Sequence, residues 1–141
     1  MVTLEEKIKQ EGDEAVWDEQ GLKCYVKRHK SLQHLCGYVG VPKTHPWWGK
    51  GGGSTLCKHD GCYKHSIVAQ LQVHGGLTFE GEWKQFPGLW FFGFDCAHSG
   101  DLVPEALKFR TGYNLDETYR DMEYVKAECR NLAKQLQEVK P

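Results

Sequence analysis

The chain has 141 residues, with 18 lysines and arginines against 19 aspartates and glutamates and a formal net charge of −1. This length suits one domain, and the balanced charge argues against non-specific nucleic-acid binding, which requires an excess of cationic side chains. Six cysteines, seven histidines, five tryptophans and 16 glycines exclude a disordered chain or a simple helix bundle and indicate a compact domain with a chemical site.

The predicted elements begin with a polar segment, 3–20, that reads as a short helix or turn. Residues 22–29 alternate apolar and polar side chains and predict a strand with one exposed face. A second strand is predicted at 35–41 and forms a hairpin with the first. His29 and His34 are expected to be solvated residues of this hairpin.

An irregular segment follows at 42–65, where two prolines and three consecutive glycines break any regular pattern. Alternation at 66–73 predicts a third strand, and 77–79 predicts a short one. The run at 89–94 is apolar on both faces and predicts a central strand.

The last predicted element is an amphipathic helix, because apolar side chains recur there at spacings of three and four. It is expected at about 115–138, with Asn114 and Glu117 resembling a capping box at its start. Packed across the sheet, it completes an α+β fold: a single domain, 1–141, with a mainly antiparallel sheet of about five strands and one long C-terminal helix.

Histidines and aspartates follow the ends of the predicted strands. His74 follows the third strand, and Asp95, His98 and Asp101 follow the central one. These four are candidate catalytic residues or ligands of a divalent metal, since histidine exchanges protons near neutral pH and a carboxylate fixes its tautomer. Their alternative is a structural role in turns and caps, and Cys96 among them is a candidate nucleophile or a small buried side chain. Neighbouring antiparallel strands end at opposite edges of a sheet, so strand-end positions alone do not bring these four residues together. Their proximity is an assumption at this point.

Candidate ligand-binding residues accompany this set. Glycine lets a ligand approach the backbone closely, and a tryptophan in a loop can stack on a nucleobase for about 1–3 kcal/mol. The candidates are His45, Trp47, Trp48, Gly75, Gly76 and Thr78. The basic run at 27–30 is expected to be a solvated strand end rather than an anion site.

Four potential zinc ligands lie within nine residues of the irregular segment, at Cys57, His59, Cys62 and His65. Two cysteines and two histidines are a common ligand set of a tetrahedral zinc site. Zinc modules, however, usually take their two ligand pairs from separate segments of the sequence. A structural zinc and a polar loop without metal therefore both stay open. The expected cofactor is zinc or another divalent metal, or none.

Four stretches resemble a group of small proteins encoded by bacteriophages and prophages. They are CGYVGVP at 36–42 with His45 and Pro46, VHGGLTF at 73–79, FGFDCAH at 92–98 with Gly100 and Asp101, and the helix from 119 to 136. The resemblance covers about 35–136. It implies a phage accessory protein that acts in the host cytoplasm, and one role open to such proteins is disarming nucleotide-signalled defences.

A cytoplasmic location also agrees with the rest of the sequence. The first residues are charged and carry no signal-peptide pattern. The longest apolar run, 89–94, is far shorter than the roughly 20 residues of a membrane span. We therefore expect reduced thiols and no membrane partner.

Three hypotheses about function follow. The first is a hydrolase of the phosphodiesterase type that acts on a nucleotide, with His74 and His98 as general base and acid. The second is a sponge that sequesters the same nucleotide without turnover, and the third is a structural or interaction protein with a zinc-stapled loop. No nucleic-acid polymer is expected as a partner. A homo-oligomer is an option, because a small domain forms a deep pocket more easily across an interface.

Overall fold

The structure is a computed structural model that describes residues 2–51, 70–109 and 116–140. Its elements are α1 (Leu4–Glu11), β1 (Glu14–Glu19), β2 (Leu22–Arg28), β3 (Leu35–Val41), β4 (Phe79–Gly81), β5 (Trp90–Asp95), a 3-10 helix (Pro104–Phe109) and α2 (Met122–Gln137). The predicted zinc ligands Cys57, His59, Cys62 and His65 lie outside the described residues. Within those residues, no helix combines the length and the apolar character that crossing a bilayer requires.

The described strands form an antiparallel sheet in the order β1-β2-β3-β5-β4. β2 and β3 form the predicted hairpin, in which Tyr25 lies opposite Tyr38. β5 lies inside the sheet between β3 and β4, and this position explains why its residues are apolar on both faces. The α+β fold predicted from the sequence is therefore confirmed.

The hydrophobic core lies between α2 and one face of the sheet. Alternate residues of β2, β3 and β5 point to this face and form one core with the apolar stripe of the helix. Cys24 of β2 and Cys129 of α2 are both fully buried there. Burial raises the pKa of the Cys24 thiol to about 12 and raises that of Cys129 as well. Both cysteines are therefore small protonated side chains of the core.

Gly37 of β3 marks the closest approach of the sheet to α2. A Cβ atom at this position would lie 2.5 Å from the Phe94 ring and 2.8 Å from the Cys129 sulfur. We expect Gly37→Ala to lower the free energy of unfolding by about 1–3 kcal/mol, the usual range for overpacking a core. Urea denaturation tests this, with Gly51→Ala as the control, since nothing lies within 4 Å of the corresponding Cβ. Equal stability of the two variants would contradict the prediction.

The edge strand β1 was not predicted. Residues 14–19 pair with β2, and Ala15 and Trp17 pack on the core while Glu14, Val16 and Asp18 are exposed. A strand at the edge of a sheet needs only one apolar face, and this one offers two apolar contacts among charged residues. The short helix expected in the same segment is α1.

The predicted third strand at 66–73 is wrong in its described part. Residues 71–73 form no strand and instead run along α2. The Gln135 side-chain amide binds both backbone groups of Gln72 at 2.7 Å, and Asn131 binds its carbonyl at 3.2 Å. Helix side chains thus replace the backbone partners that a neighbouring strand would supply.

The start of the C-terminal helix also differs from its prediction at about 115. α2 begins at Met122, where the side chain of Asp121 caps it by accepting a hydrogen bond from the Tyr124 N–H at 2.8 Å. Thr118 instead forms a β-bridge with Asp101. The residues just before α2 are thus held in an extended bridge and are not helical.

Candidate functional site

The candidate site is built around the carboxylate of Asp101, whose side chain is fully buried. Its two oxygens lie 2.9 and 2.8 Å from Nε2 of His74. They also accept hydrogen bonds from Arg120 Nε at 2.8 Å and from the His98 main-chain N–H at 3.0 Å. Burial alone would raise the pKa of the Asp101 carboxyl, but these donors lower it below its usual value. Asp101 is therefore an anion at neutral pH.

His74 lies between Asp101 and the hydroxyl of Tyr124. An ionised carboxylate only accepts hydrogen bonds, so Nε2 of His74 carries the ring proton. In the neutral ring Nδ1 is then an acceptor, and the Tyr124 hydroxyl donates to it at 2.8 Å. The main-chain N–H of His74 donates to Glu128 at 2.8 Å. Tyr124, His74 and Asp101 thus form a hydrogen-bonded chain along which protons can move.

A second histidine and aspartate lie beside this series of hydrogen-bonded side chains. Nε2 of His98 is 3.0 Å from Oδ1 of Asp95, and the His74 and His98 rings meet edge to face with their centroids 6.2 Å apart. Nε2 of His98 is enclosed and has no hydrogen-bond partner among the described residues, so its short contact with Asp95 is electrostatic and poorly aligned. The four predicted catalytic residues therefore lie together.

Gly75 allows the two histidines to approach each other. Its φ is +68°, and a Cβ atom there would lie 2.2 Å from Cδ2 of the His98 ring. Gly76 has a φ of +81° and open space around it, and its N–H closes the turn by donating to the Val73 carbonyl at 2.9 Å. Both glycines thus shape the turn, but only Gly75 touches a candidate catalytic side chain.

His45 and Trp47 lie away from this cluster. Nδ1 of His45 accepts the Trp47 N–H at 2.9 Å, so its Nε2 donates to the Leu136 carbonyl, 2.7 Å away near the end of α2. Trp47 is 6% exposed and packs against Phe92 in the core. Both side chains are thus engaged within the fold, and their binding of a ligand stays a prediction.

Trp48 and Thr78 are also held within the fold, by contacts with β5 and with the residues just before it. The indole N–H of Trp48 donates to the Gly88 carbonyl at 3.0 Å, and its ring packs on Trp90 with centroids 5.8 Å apart. The Thr78 N–H donates to the Gly93 carbonyl at 2.9 Å. Among the described residues, neither forms a hydrogen bond or a ring contact with the His74 and His98 side chains.

Cys96 is buried, with 2% of its surface exposed. Burial, followed by the charge of Asp101, raises the pKa of its thiol far above the usual value, so it is not a thiolate nucleophile at neutral pH. We expect iodoacetamide at pH 7.5 to alkylate Cys96 only after the chain is unfolded in urea. Peptide mass mapping measures this, and rapid labelling in the native protein would contradict it.

Three residues of the cluster were missed in the sequence. Tyr124 and Glu128 are four residues apart on one side of α2, outside its apolar stripe, and Arg120 lies in the extended segment just before the helix. His34, expected to be solvated, is buried and stacks on His29 with ring centroids 4.9 Å apart. Burial and the neighbouring His29 lower the pKa of His34. The four-residue spacing was the available signal for the helix residues.

Comparison with protein families, with curated proteins and with solved structures finds no match for this chain. The described residues also contain no group of three or more histidine, cysteine or acidic side chains arranged to hold a metal ion. The geometry of the cluster itself is therefore the basis for a functional proposal.

Proposed function

We propose that this chain is a hydrolase that acts on a small phosphorylated ligand, a nucleotide, through the paired histidines. The observation that carries the proposal is the position of two histidines, each beside a carboxylate, with ring centroids 6.2 Å apart. Two such groups on one phosphoryl centre can remove a proton from the attacking water and give one to the leaving oxygen.

In the proposed mechanism His74 is the general base and acts through Tyr124. Burial and the charge of Glu128 raise the pKa of the Tyr124 hydroxyl, so it keeps its proton until the reaction begins. The attacking water gives a proton to the Tyr124 oxygen as the Tyr124 proton passes to Nδ1 of His74. The resulting imidazolium is stabilised by the Asp101 carboxylate, as in other histidine–aspartate pairs.

His98 is the general acid in the same mechanism. Because its Nε2 is enclosed beside Asp95, we propose that it presents Nδ1 to the ligand. The water oxygen forms a bond to phosphorus, the bond from phosphorus to the leaving oxygen breaks, and that oxygen takes the His98 proton. Asp95 stabilises the protonated ring before the transfer.

A sponge that binds the nucleotide without turnover is the second candidate. It is favoured by one observation: both ring nitrogens of His74 are engaged within the protein, by Asp101 and Tyr124. We place either activity in the host cytoplasm, in a phage accessory protein that removes a nucleotide defence signal. This setting rests on the sequence resemblance.

The experiment is incubation of the protein with cyclic and linear nucleotides, followed by chromatography of the products. The hydrolase predicts new products, and the sponge predicts ligand that is retained and released intact on heating. If no nucleotide gives new products and none shifts the melting temperature, both hypotheses are overturned and an interaction protein is left.

Metal analysis of protein purified without a His tag tests the zinc-stapled loop of that third hypothesis, with about one zinc per chain expected.

A further inference from the structure

A cavity of about 350 Å³ lies on the other face of the sheet, away from α2. Its walls include side chains from β2, from β3, from the turn between them and from the segment after β4: Lys27, Lys30, Ser31, Cys36, Tyr38 and Trp83. The volume falls within the roughly 300–1,000 Å³ of small-molecule sites. The cavity thus joins cationic and aromatic side chains at one end of the sheet.

The cavity is cationic because its lysines are not neutralised. Arg28 is buried against Glu11 and Asp13, so its charge is balanced inside the protein. Among the described residues, no carboxylate lies within ion-pair distance of Lys27 or Lys30. Glu14 of β1 lies opposite Lys27 in the strand register, and its carboxylate accepts a hydrogen bond from the Tyr25 hydroxyl at 3.2 Å. Two ammonium groups therefore remain for an anionic ligand. An adjoining cavity of about 250 Å³ shares Lys27 and Lys30 with this one, but Asp13 and Glu14 also line it, so it is less suited to anions.

The aromatic wall is held rigidly in place. Trp83 stacks on Phe79 with centroids 5.5 Å apart and meets Tyr38 edge to face at 5.3 Å. Tyr38 stacks in turn on Tyr25 at 5.7 Å. The Lys27 ammonium lies 5.2 Å from the centroid of the Trp83 ring, so a cation and an aromatic surface are presented together. A ligand with a planar ring and a phosphate suits this arrangement, because the ring can pack on the aromatic surface and the phosphate can pair with the ammonium group.

The strand register connects this cavity to the histidine cluster. Lys27 of β2 lies opposite Cys36 of β3, and Cys36 lies opposite Asp95 of β5. Residues opposite each other on antiparallel strands are about 4.5–5.5 Å apart at Cα and point to the same face. Lys27 and Asp95 are therefore only two strand spacings apart on one face, and Asp95 contacts His98.

We propose that this cavity is the substrate site and that it takes a nucleoside phosphate. Lys27 and Lys30 hold the phosphate groups, and the base packs against the wall formed by Trp83 and Tyr38. The inference rests on the proposed function, since a phosphoryl group held by Lys27 must reach Asp95 and His98, which lie beyond the residues that line the cavity. It also replaces the expectation that the basic run at 27–30 is only a solvated strand end.

The test is isothermal titration calorimetry with ADP, pyrophosphate and adenosine at low salt. The Lys27→Gln, Lys30→Gln double variant is expected to bind ADP about 100-fold more weakly, at about tenfold for each ammonium group removed. Lys43→Gln is the matched control, because Lys43 lies over the Trp48 ring at 5.7 Å, outside the cavity. Wild-type ADP affinity is expected in the control. Pyrophosphate should bind the wild type more weakly than ADP, because it cannot pack on the aromatic wall.

The outcomes separate this inference from the proposed hydrolase. Loss of ADP binding in the lysine variant, with no nucleotide hydrolysed by the wild type, supports the binding site and overturns the hydrolase. Nucleotide turnover that is unchanged in the lysine variant, with unchanged ADP affinity, overturns the site and leaves the hydrolase. Equal affinities for pyrophosphate and ADP overturn the nucleoside part of the proposal.

Discussion

Replacement of Asp101 by asparagine is expected to lower the free energy of unfolding by about 3 kcal/mol and the rate of nucleotide hydrolysis by about 10²–10⁴-fold. Both carboxylate oxygens accept N–H donors, from His74, Arg120 and the His98 main chain. An asparagine has one acceptor oxygen, so its NH₂ group would face at least one of these donors. The Arg120 charge would also lose its partner.

Urea denaturation and product formation measure the two effects separately. Asp95→Asn is the matched control for stability, because the Asp95 side chain is 31% exposed, lies beside His98 at the surface and accepts the Ala97 N–H at 3.1 Å. Its expected loss is about 1 kcal/mol or less. Equal destabilisation by the two variants would contradict the central place of Asp101.

Asp101 also predicts how stability depends on pH. Its pKa in the folded protein is lowered, whereas an unfolded chain has an aspartate pKa of about 3.9. The contribution of this carboxylate is therefore present above about pH 4 and is lost as the pH falls through the folded pKa. We expect the free energy of unfolding to fall more steeply below pH 4 in the wild type than in Asp101→Asn. Urea titrations at a series of pH values test this, and parallel pH profiles would contradict it.

Replacement of Gly75 by alanine is expected to lower nucleotide turnover by about 100-fold, because displacing a reacting group by about 1 Å has an effect of this size. The new Cβ atom overlaps the His98 ring, at 2.2 Å from Cδ2. The ring must therefore leave its present position beside Asp95 and His74. The positive φ adds a loss of stability of about 1–2 kcal/mol.

Gly76→Ala separates displacement of the ring from backbone strain. Gly76 has a similar positive φ, but a Cβ atom at this position would have nothing within 4 Å of it. We expect Gly76→Ala to lose similar stability and to retain wild-type turnover. Comparable activity in the two alanine variants would show that His98 has no fixed position in the reaction.

The elements with a strong local pattern could be predicted from the sequence. β2, β3 and β5 alternate or are continuously apolar, and the body of α2 has a clear apolar stripe. The errors fall where tertiary contacts decide the structure. Residues 71–73 alternate like a strand, yet Gln135 of the helix takes up the backbone hydrogen bonds of Gln72. The start of α2 depends on a bridge from Thr118 to Asp101, which no local pattern reveals.

The candidate site could be predicted only in part. His74, Asp95, His98 and Asp101 could be chosen because polar residues follow apolar segments, but their convergence depends on the turn at Gly75. Tyr124 and Glu128 were missed because they lie outside the apolar stripe of α2, and Arg120 because it lies in the extended segment before the helix. The burial of Trp47 was not foreseen, because a tryptophan in an irregular loop can still fold back on the core.

A double-mutant cycle of hydrolysis rates tests the central claim, that both histidines act on one ligand. The initial rate is measured for the wild type, His74→Gln, His98→Gln and the double variant, with Ser99→Ala as a control at a neighbouring exposed position. We predict a loss of about 10²–10⁴-fold in each single variant and little further loss in the double variant, because groups that act as a unit are not additive. Unchanged turnover in His74→Gln and His98→Gln would contradict the account.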